Sequence, residues 1–268
     1  MKLQLDFTGK RSAKILFVLL GFLVSGVMIW QLPASWLGAS LASQGACRVL
    51  LQQPTGTIWQ GSAALAFSER NLSDGLCREP ISVTERFHWK MSCQIWSLSC
   101  RTEIDFAALE RPQRIEWRLG RVLIEGNQIQ LPANILEGLG NPWSTLRPRG
   151  QLDARWTDLN LGAKDIKSGS TGVIRIIINN LSSPISPVRP LGAYEIAANL
   201  TNSGMNWILS TTSGPLLLRG QGELVNQSGS KDVQFSGEAS ASPEAQESLI
   251  GLLSILGKKE GDVYRLKF

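Results

Sequence analysis

From Ile15 to Cys47 the chain carries no charged residue, and the first part of that stretch, ILFVLLGFLVSGVMIW, is almost entirely apolar. About twenty such residues are what a helix needs to cross a bilayer, so the run is either a membrane segment or the centre of a large core. Flanking charge favours the membrane: Lys2, Lys10, Arg11 and Lys14 precede the run against only Asp6, and Trp30 and Trp36 suit the far interface. The positive-inside bias then divides the chain into a cytoplasmic basic tail (1–14), a single transmembrane anchor (15–32) ending at Pro33, a juxtamembrane segment (33–46) and a translocated domain (47–268). A cleavable signal peptide is the rival reading, since Ser40 and Ala42 could serve as the small residues before a cleavage point, although the apolar core is long for that.

The tail also explains most of the basic balance. Removing those five residues from the 27 basic and 22 acidic ones leaves 23 and 21, so the sequence pI near 9.2 does not describe the translocated part. No later run of Lys and Arg is interleaved with aromatics, which argues against nucleic acid as a partner. Cys47, Cys77, Cys93 and Cys100 all follow the anchor, an even number suited to an oxidising compartment. Cys93 and Cys100 bracket QIWSLS, a spacing that could close a hairpin and would leave Cys47 with Cys77; the other two pairings and four free thiols stay open on sequence alone.

Beyond a short uncharged stretch the chain alternates with period two, from Thr57 onward. ERFHWKM, RIEWRLGRVLIEGNQIQL, GQLDARWTDLNL, GVIRIIINNL, AYEIAANLT, MNWILSTT, PLLLRGQGELVNQ, VQFSGEASAS and VYRLKF read as strands joined by short turns. The fold class is therefore mainly β: a transmembrane helix, then an antiparallel sheet-rich domain with a few short helices. Only DFAALE, ANILEGLG and the segment from Pro243 to Leu256 read as helical. In the last, Ser242 is a good N-cap, Pro243 fits the first helical position and Gly257 suits a left-handed C′ position. Ala245, Leu249, Leu252, Leu253 and Leu256 recur at helical spacing, Ile250 and Ile255 widen the apolar face, and Gly251 reads as a site of close packing. Such a helix, lying between strands, is expected to cover the sheet near the C-terminus.

Catalytic patterns are missing. There is one histidine, His88, placed by alternation opposite to Phe87 and Trp89 and so facing solvent, and there is no GxGxxG, Walker loop, HExxH or nucleophile elbow. The expectation is a protein that is not an enzyme, with no cofactor, metal or catalytic residue. Trp59, Trp89, Trp117, Trp156 and Trp207 lie in alternating stretches and read as parts of a β core.

The order of several phrases resembles protein N of the bacterial type II secretion system. Gly56, Thr57, Ile58, Trp59 and Gly61 match a Gly-Thr-apolar-Trp-x-Gly phrase after the anchor; Leu139, Gly140, Pro142, Leu146, Gly150, Leu152 and Trp156 match a middle phrase; Gly237, Leu249, Leu252, Leu253, Leu256 and Gly257 match a closing strand and helix. The region holding the four cysteines has no counterpart in the pattern. The resemblance implies a single-pass protein of the bacterial inner membrane whose periplasmic domain works with other type II secretion components and the lipid bilayer in exporting folded proteins. The family is in turn similar to AsmA-like envelope proteins, which implies an alternative: a lipid ligand held by an apolar face of the sheet.

Overall fold

The computed structural model describes residues 10–44, 47–68, 77–94, 96–140, 143–162, 169–227 and 230–267. The basic tail up to residue 9 and Pro142 lie outside the described residues, as do the side chains of residues 10–15, 22, 44, 225–227, 230–232 and 267.

Helix α1 (Lys10–Trp30) carries the apolar run, and its described large side chains from Leu16 to Trp30 stand exposed, Trp30 alone among them stacking on a ring of the sheet. Among the described residues no helix is long and apolar enough to cross a membrane. Helix α2 (Ser35–Gln44), which the sequence pattern does not mark, turns back along the first strand, where Gly38 lies 3.6 Å from the Leu51 side chain if given a Cβ.

Strands β1 (Val49–Gly56), β2 (Gln60–Phe67), β3 (Ile81–Gln94), β4 (Ser99–Asp105), β5 (Gln113–Arg118) and β6 (Arg121–Ile124) form an antiparallel meander. The chain then leaves for a second sheet through β7 (Asn127–Pro132) and β8 (Arg149–Trp156), with a 3-10 helix over Ala133–Leu139 and α3 (Trp143–Leu146) between them. Strand β9 (Leu159–Gly162) returns to pair with β6 and completes a seven-stranded sheet.

The second sheet is built from β7, β8, β10 (Gly172–Ser182), β11 (Gly192–Thr201), β12 (Gly204–Ser213), β13 (Leu216–Gln227), β14 (Ser230–Ala241), β15 (Lys258–Glu260) and β16 (Val263–Lys267). Its nine strands run in the order β15-β16-β14-β13-β12-β11-β10-β8-β7, every neighbour antiparallel. The mainly β, antiparallel expectation is met, as two sheets.

Period-two alternation buries one face of the nine-stranded sheet. Ala154, Ile176, Ile196, Leu209, Gly220 and Gly237 stand opposite one another from β8 to β14, and Trp156, Ile174, Ala198, Trp207, Gly222 and Phe235 form the adjacent row. The late helix covers this face: Pro243–Ala245 is a 3-10 turn, α4 (Gln246–Leu256) follows, and Leu249, Leu252 and Leu253 are buried against β14 and β16.

Several local expectations are corrected. Ser242 is extended and makes no side-chain cap; its carbonyl accepts from Ala245 N at 3.0 Å instead. Gly257 is also extended (φ −168°), because the chain passes straight into β15, and a Cβ there would meet Arg265 O at 2.4 Å. Gly251 faces open space, and Ile250 and Ile255 are about half exposed, so the helix buries a narrow stripe and not a wide face. DFAALE is a turn: Leu109 N donates to Phe106 O at 2.9 Å, and both side chains pack with Leu131 and Ile135 between the sheets.

Candidate functional site

Two features stand out, and the phrases singled out in the sequence build both. The first is the junction between α1 and the seven-stranded sheet. Gly56 takes φ +87°, and a Cβ on it would meet Gln60 O at 2.4 Å; a Cβ on Gly61 would meet Thr55 O at 2.3 Å and the Trp89 indole at 2.5 Å. Only glycines permit a turn this tight against a buried tryptophan. The turn receives the chain leaving α1: Ile58 N donates to Leu32 O and Ala34 N to Gly56 O, both at 3.0 Å, and Pro33 bridges to Thr57. Trp59, expected in a strand, sits in this turn instead; its Nε1 donates to Ile29 O at 3.0 Å and its ring stacks on Trp30 with centroids 6.5 Å apart. The Gly-Thr-Ile-Trp-Gln-Gly phrase thus fastens the helix end to the sheet.

The second feature is an apolar cavity of about 420 Å³ between the nine-stranded sheet and α3 and α4, lined among others by Trp143, Ile178, Trp207, Leu209, Phe235 and Leu252. That volume falls within the range of small-molecule sites, ~300–1,000 Å³. Glycines shape its floor. A Cβ on Gly222 would lie 2.3 Å from the Trp207 indole, and one on Gly220 would lie 2.7 Å from the Phe235 ring, so both rings fill the space these glycines leave over β13. The RGQGELV phrase therefore works by what its glycines leave out.

Polar groups are few. Tyr194 is buried, its hydroxyl donates to Leu216 O at 2.9 Å with Leu191 O 3.1 Å away, and burial pushes the phenol well above its usual range. Ser183 is buried and donates to Leu146 O. Among the described residues lining the cavity no carboxylate, amine, guanidinium or imidazole occurs. The arrangement can hold an apolar group; it has no acid or base poised for proton transfer.

Other sequence-selected residues stand apart from both features. Gly140 ends the 3-10 helix at φ +86°, and Gly150 opens β8 at φ +136°, where a Cβ would meet Asn179 O at 2.6 Å. Trp156 donates to Glu125 O at 3.0 Å and ties the two sheets together where the chain crosses between them. His88 is exposed, as is much of Trp117. Disulfides join Cys47 to Cys77 and Cys93 to Cys100, the latter between residues directly opposite each other on β3 and β4. The cavity itself was not visible in the sequence, since its lining is drawn from ordinary core residues scattered over most of the second half of the chain.

The family model described as Type II secretion system (T2SS), protein N, matches residues 47–267. No curated protein and no solved structure matches the chain.

Proposed function

The chain belongs to the type II secretion system protein N family, and from that premise we propose that it is a non-enzymatic accessory component of this system in the bacterial inner membrane. In this reading residues 15–32 are the anchor, residues 47–268 lie in the periplasm, and the domain assists export of folded proteins across the outer membrane beside other secretion components. The family match carries the proposal. Three observations support the placement: the basic residues before the apolar run, the exposed side chains of α1, and two disulfides of the kind an oxidising compartment maintains. The absence of catalytic motifs in the sequence supports the non-enzymatic part.

Deleting the protein tests the reading. Type II substrates are then expected to accumulate folded in the periplasm while their extracellular level falls. A version freed from its anchor should complement poorly at native expression and better when overproduced, because confinement to the membrane raises the domain's effective concentration beside an assembly embedded there.

The apolar layer and its cavity favour a second reading, AsmA-like handling of a lipid in the periplasm. Deletion that leaves secretion intact and alters envelope lipid composition or permeability would replace the first reading with this one.

A further inference from the structure

The seven-stranded sheet has a distinctive end. Antiparallel alternation places the β1–β2, β3–β4 and β5–β6 turns together there, and the first of these turns is the one that receives α1. Gln60, at the start of β2, is opposite Lys90, so β3 continues four residues further to Gln94, about 13 Å at ~3.3 Å per residue. The β3–β4 hairpin therefore projects past the helix junction, and the Cys93–Cys100 disulfide braces it.

What the hairpins carry at this end is unusual for a water-facing surface. Trp96 is fully exposed, Leu98 is 67% exposed and Leu119, in the β5–β6 turn, is 82% exposed. Leu98 also adopts φ +45°, a conformation leucine takes at a cost and glycine or asparagine takes readily. Neither burial nor turn geometry accounts for leucine there. Behind these tips stand Arg101, Arg118 and Arg121, against Glu116, whose carboxyl is held below its usual range by hydrogen bonds from Arg101 and Arg118. Trp30, 75% exposed at the end of α1, stacks on Trp59 of the adjacent turn. Large apolar tips backed by arginines, next to an aromatic-flanked apolar helix, match the chemistry of a bilayer interface with anionic headgroups.

We propose that this end of the sheet lies in the periplasmic leaflet's interfacial layer, with Trp96, Leu98 and Leu119 among the headgroups and the three arginines facing lipid phosphate. The proposal rests on the anchor reading above. It makes the β3–β4 hairpin a second membrane contact, which together with the fastened helix end fixes the tilt of the domain on the membrane.

The full chain, labelled with 5-fluorotryptophan and reconstituted in nanodiscs of phosphatidylethanolamine and phosphatidylglycerol, tests this by fluorine NMR. Trp96→Phe and Trp30→Phe assign the two resonances; both residues are exposed, so neither change removes buried packing. A nitroxide on the lipid headgroup is expected to erase the Trp96 signal along with that of Trp30, while a soluble gadolinium chelate leaves Trp96 sharp. If Trp30 is erased by the lipid probe and Trp96 only by the soluble one, the anchor stands, the tips face water or a protein partner, and the proposal is overturned. If the lipid probe affects neither, the anchor reading fails and takes the proposal with it.

Discussion

The seven-stranded sheet packs its apolar residues into two small groups, one shared with β7 and the 3-10 helix around Val83, Phe106, Leu131 and Ile135, and one around Ala34, Ala63 and Trp89. The nine-stranded sheet shares one larger cluster running from Leu146 and Ile178 through Tyr194 and Leu216 to α4. Both disulfides belong to the region of the smaller sheet: Cys93–Cys100 joins β3 to β4, and Cys47–Cys77 joins the residues that lead into β1 and β3. In the chain-entropy picture, crosslinks spanning 30 and 7 residues contribute roughly 3–4 and about 2 kcal/mol. Covalent constraint thus adds to apolar burial where the buried clusters are small, and it leaves the hairpin tips free to carry exposed tryptophan and leucine. The nine-stranded sheet depends on a continuous apolar layer under a helix, and a cavity sits in that layer.

Breaking the apolar layer should have the largest effect. Leu253 is 2% exposed, and Leu253→Asp places a carboxylate with no partner in the cluster, expected to cost about 3–5 kcal/mol and to lower the melting temperature steeply. An unchanged melt would show that α4 does not hold the larger sheet. Next in size is loss of the longer crosslink: Cys47→Ser with Cys77→Ser should cost roughly 3–4 kcal/mol. Alkylation of the native full chain without reductant should label no cysteine; labelling of two or more would contradict the staple. Smaller again is Gly222→Ala, whose methyl group would push the Trp207 indole away, at about 1–3 kcal/mol. A tryptophan emission spectrum and stability both equal to wild type would mean the indole does not lie over β13.

The smallest expected effect belongs to Tyr194→Phe, about 1 kcal/mol for the lost hydrogen bond. Its sign with pH follows from burial. The folded phenol ionises above the usual 10.0, so tyrosine's contribution is fully present below that pH and is lost as pH rises past it. The gap between wild type and Tyr194→Phe should therefore narrow above pH 10 in denaturant titrations. A gap that widens there would contradict the buried hydroxyl.

Alternation was enough to locate most of the strands, because in GVIRIIINNL or AYEIAANLT one side of every residue pair meets the apolar layer. It failed at β1, where Gln53 takes φ +47° and the register shifts between Gln52 and Thr55, so VLLQQPTG loses its period. Helix α2 escaped notice because SWLGASLASQ has neither charge pattern nor caps and is held by contact with β1. DFAALE misled in the opposite direction: Phe106 and Leu109 have helical spacing, yet a single turn suffices to send both between the sheets. The glycine phrases were readable as a pattern and unreadable as a mechanism, since Gly220 and Gly222 are matched to rings on neighbouring strands that only strand register brings alongside.

Hydrogen exchange of the full chain with and without reductant tests most directly the claim that covalent staples hold the smaller sheet and an apolar layer the larger. Reduction is expected to accelerate exchange in β1 to β4, with the Ile58 and Ala34 amides of the helix junction among the first to lose protection, while β10 to β13 keep theirs. Equal loss of protection in both sheets on reduction would contradict the account.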